Sequence, residues 1–185
     1  EAIRLAREVC DFICDAGGAE SVVYAQALGS RGRLLQDAGL FDEAEADLVD
    51  AVKLQRRLVV NPDADLVALL RGLAVLHRGQ QHFTEARKLF EEIVGILRDL
   101  RASDDFGEAQ LVEQLSNLGG VAKALGDYAA AGEAFEQAIE IQTRLSVDHP
   151  RYALALNNRA GLYDVVGDYI QAERLYLAAQ EIWAQ

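Results

Sequence analysis

Methionine is absent from the 185 residues, and proline, cysteine and histidine each occur only two or three times. A natural chain starts with methionine, so the sequence indicates an excerpt from a longer protein. No apolar run approaches the roughly 20 residues needed to cross a bilayer, and no basic-then-apolar leader opens the chain. The two cysteines, Cys10 and Cys14, lie four apart on one predicted helix, which does not suit a disulfide bridge. These absences predict a soluble, cytoplasmic protein.

Residue patterns that carry catalysis or cofactor binding are also missing. His77 and His82 lie five apart and no His-Glu-x-x-His run is present, so no metal site is expected. Glycines such as Gly119 and Gly120 lie inside helical patterns and not at a strand-to-helix turn, which excludes a phosphate-binding loop. No Gly-x-Ser-x-Gly elbow and no cysteine with a plausible histidine partner occurs. We therefore predict a protein that is not an enzyme and holds no cofactor.

Positive charge is scarce, because 18 Lys and Arg stand against 30 Asp and Glu, for a formal net charge of −12. Such a surface repels the phosphates of nucleic acids, so no nucleic-acid partner is expected. The missing apolar run likewise predicts no membrane partner. Many acidic residues fall in helical stretches such as 43–50 and 133–140, where a solvated outer face is the ordinary explanation.

What the sequence does contain is the pattern of a helical hairpin over residues 149–185. Two helical patterns meet at the turn Gly167-Asp168. Small residues on their facing stripes, among them Ala160 and Ala172, let the two backbones approach, while tyrosines fill the space around them. Such a hairpin cannot bury its apolar face alone, so it needs copies stacked beside it.

The copies appear when the chain is laid against itself. The turn recurs at spacings of 42, 45 and 41 residues, as Gly39-Leu40-Phe41, Gln81-His82-Phe83, Gly126-Asp127-Tyr128 and Gly167-Asp168-Tyr169. An alanine follows each aromatic residue by three positions, and a bulky apolar residue follows four later. A small residue precedes each turn by seven positions, namely Gly32, Ala74, Gly119 and Ala160. This agreement over four copies predicts an all-α chain of helical hairpins.

The Gly-Asp-Tyr turns and the runs Asp148-His149-Pro150 and Ala155-Leu156-Asn157-Asn158 resemble the tetratricopeptide repeat. The resemblance is to its long variety, with a period near 42, found in kinesin light chains and many bacterial proteins, and it covers nearly the whole chain. Repeat 2 departs from the pattern, with Gln81 for the turn glycine and His77 where an apolar residue is usual. The resemblance implies a right-handed α-solenoid of four hairpins plus one leading helix.

A single tetratricopeptide array over residues 1–185 is the predicted domain organisation. Residues 1–16 are the second helix of a truncated repeat, and repeats 1 to 4 span 20–60, 62–101, 105–147 and 149–185. Asn61-Pro62 and His149-Pro150 each start a first helix, because proline is tolerated there and Asn61 can cap the helix. The long connection at residues 102–107 is placed between repeats 2 and 3 as an insertion.

The first helices carry a polar stripe on the side away from their partner helices. The resemblance implies that first helices line a concave groove for peptides, and Asn117 and Asn158 match the position whose amide bonds a peptide backbone. Cationic side chains would favour an acidic segment or a C-terminal carboxylate, although Glu113 and Asp164 lie on the same side. The predicted groove residues are Arg33, Gln36, Arg71, Arg78, Asn117, Lys123, Asn157 and Asn158.

Two functions stay open at this point. One is a protein- or peptide-binding scaffold that uses the groove, and the other is a sensor or regulatory segment of a larger multidomain bacterial regulator or protease. A solvated groove with a partner bound on the convex face is the plain alternative to groove binding. The last helix, with Tyr176, Ile182 and Trp183, predicts contact with more of the parent protein or with a second copy. Its alternative is that Trp183 folds back onto repeat 4.

Overall fold

A computed structural model describes residues 1–100 and 105–184, and helices are the only regular structure within them. The predicted all-α class is confirmed, as is the order of one leading helix followed by four helix pairs. Of the predicted connection at 102–107, residues 102–104 lie outside the described residues. Residues 105–107 are not part of a connection, because α6 begins at Asp105. The helices of the described part are α1 (Ala2–Asp15), α2 (Val22–Asp37), α3 (Phe41–Leu58), α4 (Ala64–Gly79), α5 (Phe83–Leu100), α6 (Asp105–Ala124), α7 (Tyr128–Leu145), α8 (Pro150–Val166) and α9 (Tyr169–Trp183).

The chain divides into two compact units, unit 1 over Glu1–Leu89 and unit 2 over Phe90–Gln185, with the boundary inside α5. In unit 1, α2 packs on α3, α1 packs on α2, and α4 packs on both α3 and α2. In unit 2, α6 pairs with α7, α8 pairs with α9, and α8 also packs on α7 and α6. Within each unit, therefore, first helices lie side by side. That residues 1–185 form a single array stays a prediction.

Glycines bring the two helices of a hairpin close together. A Cβ on Gly32 would lie 2.8 Å from Cγ of Leu48, and a Cβ on Gly119 would lie 2.5 Å from Cε1 of Phe135. Both distances are shorter than van der Waals contact, so any larger residue would force the neighbour to move. Leu48 and Phe135 are fully buried. The small residue seven positions before the turn therefore marks the packing face of the first helix in both units.

The two proline-containing connections start their helices differently. As predicted, α8 begins at the His149-Pro150 run. Nδ1 of His149 accepts a hydrogen bond of 3.1 Å from the backbone N–H of Arg151. The prediction that Asn61 caps α4 is wrong. The N-cap is Asp63, whose carboxylate accepts a 2.8 Å bond from the backbone N–H of Leu66. A carboxylate at this position satisfies a first-turn donor and also favours the positive end of the helix dipole.

The turns inside the hairpins share one backbone conformation. Gly39, Gly126 and Gly167 have φ angles of 78°, 78° and 85°, in the left-handed region that glycine enters freely. Gln81 takes the same position in repeat 2 with φ of 63°. The departure seen in the sequence thus preserves the left-handed turn and places backbone strain on Gln81.

Candidate functional site

A cavity of about 220 Å³ opens between the first helices α2 and α4 of unit 1. Three of the predicted groove residues, Arg33, Gln36 and Arg71, converge on it. Small and apolar residues of α4 supply the rest of the wall, and one carboxylate is also present. The complete lining is Arg33, Gln36, Asp37, Ala68, Arg71, Gly72 and Val75.

Gly72 allows the close packing beside this cavity. A Cβ at this position would lie 3.1 Å from Cδ2 of Leu48 and 4.0 Å from Cγ of Arg33. The stem of Arg33 therefore runs along α4, and its Nη2 donates a 3.2 Å hydrogen bond to Oγ of Ser30. Arg33 and Arg71 are both exposed. Guanidinium groups beside a partly apolar cavity suit a carboxylate, which accepts hydrogen bonds from their planar donors.

Arg78 and Asp37 limit how basic this surface is. Arg78 is half-buried in the last turn of α4 and does not line the cavity, so the structure does not bring it together with Arg33 and Arg71. Asp37 contributes a carboxylate to the cavity itself. The site is therefore a mixed one with two arginines, and not a uniformly cationic patch.

Amides take the place of arginines on the first helices of unit 2. Asn117 on α6 and Asn157 and Asn158 on α8 are half-buried. Lys123 reaches from α6 towards α8, because its Nζ would lie 3.3 Å from a Cβ placed on Gly161. The unit 2 surface thus offers groups that both donate and accept hydrogen bonds, with one ammonium group at the α6–α8 contact.

The predicted residues occupy one side of their helices in each unit. Their positions can be counted along the chain from the small residue seven positions before each turn. Arg33 lies one residue after Gly32, Arg71 three residues before Ala74, and Asn158 two residues before Ala160. At about 100° per residue around the helix, the predicted groove residues fall within an arc of about 120° that does not include the small residue of the packing face. Exposed acidic residues lie within this arc as well, among them Glu113 and Asp164.

An ion pair behind the polar stripe of α2 was not anticipated from the sequence. Arg31 donates from Nε and Nη2 to the two carboxylate oxygens of Asp47, each at 2.6 Å. This hydrogen bonding raises the pKa of the Arg31 guanidinium. The two residues lie eight positions before and eight after the turn glycine Gly39. That symmetry is the sequence signal that could have revealed the pair, which ties α2 to α3.

Two thiols and a phenol lie near this ion pair. Burial raises the pKa of the Cys10 thiol, which is only 1% exposed and belongs to the hydrophobic core. A hydrogen bond with Cys14 raises the pKa of Tyr24 to about 12. Both cysteines are free. These groups connect α1 with α2, and they lie apart from the polar stripe that lines the cavity.

A second cavity, of about 250 Å³, lies in unit 2 and was also not anticipated. Arg98 donates a 2.6 Å hydrogen bond to Oε1 of Gln137 across it. Arg144 pairs with Glu140 at 3.1 Å and with Glu108 at 3.6 Å. Its cations are therefore engaged by neighbouring side chains. The lining is Arg98, Leu111, Leu115, Gln137, Glu140, Ile141 and Arg144.

Metal ligands do not gather in the part of the chain that the structure describes. Within it, no group of three or more His, Cys, Asp and Glu side chains could hold a metal ion. The ring centroids of His77 and His82 are 5.9 Å apart, with the rings tilted. Among residues 1–100 and 105–184, no helix combines the length and the apolar character needed to span a bilayer.

The last helix, α9, leaves part of its apolar surface uncovered. Ile182 packs towards the cluster of Ala153, Leu156 and Ala179. Tyr176 and Trp183 are 40% and 51% exposed. Contact of this helix with a second copy or with more of the parent protein stays a prediction.

The sequence matches the family model of the tetratricopeptide repeat over residues 23–99 and 111–185. No curated protein matches it. Among solved structures, the kinesin light chain repeats of Podosopora anserina superpose with a TM-score of 0.85 at 22% identity, covering 98% of this chain and 85% of that one. BtubC of P. vanneervenii gives 0.74 at 20% identity, covering 98% and 69%, and MamA gives 0.70 at 18%, covering 98% and 86%.

These structural likenesses concern the fold, since all three identities are low. The description of the Podosopora anserina structure names TPR-like repeats of a kinesin light chain, the type of repeat that the turns and runs of this sequence resemble. The family match covers most of the chain and includes the first helices that carry Arg33, Arg71 and Asn158. The chain belongs to the tetratricopeptide repeat family.

Proposed function

We propose that the first helices bind an extended acidic peptide, with the cavity of unit 1 taking a carboxylate. Tetratricopeptide repeats are in general non-enzymatic scaffolds for protein–protein interaction. The observation that supports the finer proposal is the convergence of Arg33 and Arg71 on one cavity with a partly apolar wall. A volume of about 220 Å³ suits one side chain or a chain terminus better than a cofactor.

The amides of unit 2 form a surface that suits a peptide backbone. An extended peptide presents N–H and C=O groups in alternation, and an asparagine amide can donate to one and accept from the other. Asn158 and Asn117 would bond this backbone whatever its side chains are. The arginines of unit 1 would select for negative charge, since charge-assisted hydrogen bonds to carboxylates are the stronger ones.

A random octapeptide library displayed with free C-termini tests the proposal on the full chain. We expect binders to be enriched in Asp and Glu, and we expect the enrichment to disappear for the double variant Arg33→Gln/Arg71→Gln. Lys53→Gln is the matched control. Lys53 is exposed on the second helix α3, so its substitution removes a positive charge outside the cavity.

Three results would overturn the proposal. The first is a set of binders without acidic enrichment, and the second is the absence of any binders. The third is a loss of affinity for Lys53→Gln that is as large, per charge removed, as the loss for the arginine variant, since this would indicate general electrostatic attraction and not a site.

A further inference from the structure

Charges of both signs line the cavity of unit 1. Arg33 and Arg71 supply two guanidinium groups, and Asp37 supplies a carboxylate. A ligand carboxylate held by the two arginines leaves the charge of Asp37 unused. What Asp37 can select for depends on where it lies relative to the arginines along the helices.

Two contacts show how α2 and α4 lie side by side. Nε2 of Gln26 donates a 2.7 Å hydrogen bond to Oδ2 of Asp65, and a Cβ on Gly72 would lie 4.0 Å from Cγ of Arg33. In both pairs the residue of α4 comes 39 positions after the residue of α2. The two first helices therefore run parallel, and residues with this separation lie level with one another.

This alignment separates the charges of the cavity along the helix axis. Arg71 lies level with Gly32, one position from Arg33, so the two arginines belong to one level. Asp37 follows Arg33 by four residues, which is about one helical turn or about 6 Å along α2. The cavity is therefore cationic at one level and anionic about one turn later.

The charge of Asp37 is not neutralised by Arg33 of the same helix. Arg33 turns its guanidinium the other way, because Nη2 bonds Oγ of Ser30, three residues earlier. Among residues 1–100 and 105–184, no hydrogen bond or ion pair engages the side chain of Asp37, which is exposed. The carboxylate is thus available to a bound ligand.

An extended peptide that runs along α2 matches the spacing of these charges. Its alternate side chains point to the same side and lie about 6.6–6.8 Å apart, close to the rise of one helical turn. A peptide carboxylate at the level of the arginines therefore brings the side chain two residues away beside Asp37. A lysine or arginine there would form a charge-assisted hydrogen bond, and an acidic side chain there would be repelled.

We propose that Asp37 is a specificity-determining residue of the peptide site, an inference that rests on the function proposed above. The cavity selects a segment in which Lys or Arg stands two residues from the acidic residue that Arg33 and Arg71 hold. A spaced pair of opposite charges is thereby preferred to a run of acidic residues. The small and apolar side of α4, with Ala68 and Gly72, leaves room for the chain between the two charges.

Octapeptides of identical composition test the inference on the full chain. One contains Glu-Gln-Lys and the other Glu-Lys-Gln in the same Ser and Gly background, so only the spacing of the charges differs. Both are acetylated and amidated to remove terminal charges. Each is made in both orders, because the charges set the spacing and not the chain direction. A Glu-Gln-Gln peptide measures the acidic site alone.

Anisotropy titrations should give binding of the spaced peptide about threefold or more tighter than that of the adjacent one, in at least one order. Asp37→Asn should make the two peptides equal while leaving the Glu-Gln-Gln peptide bound. Asp50→Asn is the matched control. Asp50 is exposed on α3, so its substitution removes the same charge outside the cavity and should preserve the preference.

Equal binding of the spaced and adjacent peptides by the wild type in both orders would overturn the inference. So would a preference that survives Asp37→Asn or that Asp50→Asn abolishes as well. Failure of the proposed function is a separate result. It would appear as absence of Glu-Gln-Gln binding, or as binding that Arg33→Gln/Arg71→Gln leaves unchanged, and it would remove this inference too.

Discussion

The first helices of the two units differ in chemistry although their packing follows the same rule. In unit 1, Arg33 and Arg71 converge on a cavity between α2 and α4. In unit 2, the corresponding side of α6 and α8 carries Asn117 and Asn158, with Lys123 as the cation at the α6–α8 contact. The same packing arrangement can therefore present guanidinium groups in one unit and amides in the other, because these polar residues and the residues that pack lie on different sides of the helix.

The largest expected effect concerns the packing rule that both units share. Gly119→Ala should destabilise the protein by about 1–3 kcal/mol, because the new methyl group would meet the ring of Phe135. Gly120→Ala is the matched control, since nothing lies within 4 Å of a Cβ at that position. It should be neutral or stabilise by up to about 1 kcal/mol through helix propensity. Urea unfolding of the two variants decides this.

The same substitution at Gly32 extends the comparison to unit 1. There the added Cβ would meet Leu48 at 2.8 Å and the carbonyl oxygen of Ala44 at 3.2 Å. If Gly119→Ala lowers the free energy of unfolding and Gly32→Ala leaves it unchanged, the two units do not share one packing rule.

The turns give the next effect, and its sign differs between Gln81 in unit 1 and Gly126 in unit 2. Gln81→Gly should stabilise by about 1 kcal/mol, because a left-handed residue with a side chain is strained and glycine is not. Gly126→Ala in unit 2 should destabilise by about 1 kcal/mol or more for the same reason. Thermal melts of both variants against the wild type measure this. Two shifts of the same sign would mean that φ is not what distinguishes these turns.

The smallest effect belongs to the inner side of α2. Tyr24 has a pKa of about 12, above the ordinary value of 10, because its hydroxyl is held by Cys14. A raised folded-state pKa means that this stabilisation is present below pH 10 and is lost as the pH rises through about 12. Tyrosinate absorbance of the wild type minus that of Tyr24→Phe should titrate near this value. Cys14→Ala should lower it, and an unchanged midpoint would remove the bond as its cause.

The fold could be predicted from the sequence because each structural requirement restricts the residue type at a fixed position of the repeat. Close helix contact requires Gly32 and Gly119, and a left-handed turn favours glycine at positions such as Gly126. These positions can be recognised in the sequence because the pattern recurs in four repeats. A capping role can shift by two residues without changing the pattern, which is why Asp63 and not Asn61 caps α4.

The candidate site could be predicted only in part. Helical geometry placed Arg33 and Arg71 on the same side of neighbouring first helices, and the structure brings them together. Arg78 shares that side of α4 but lies away from the cavity, because the position along the helix matters as well as the face. The partners of Arg98 and Arg144 depend on side-chain conformations across two helices, which no one-dimensional pattern records.

The central claim is that the arginines of unit 1 select for negative charge in a peptide, whereas the amides of unit 2 form hydrogen bonds with a peptide backbone. The salt dependence of peptide binding tests this claim most directly. For an acidic octapeptide, log Kd should rise with log salt in the wild type, and Arg33→Gln/Arg71→Gln should flatten this dependence. For an uncharged octapeptide, Asn158→Ala should weaken binding about tenfold at every salt concentration. A slope that the arginine variant leaves unchanged, or a salt-dependent loss in Asn158→Ala, would contradict the claim.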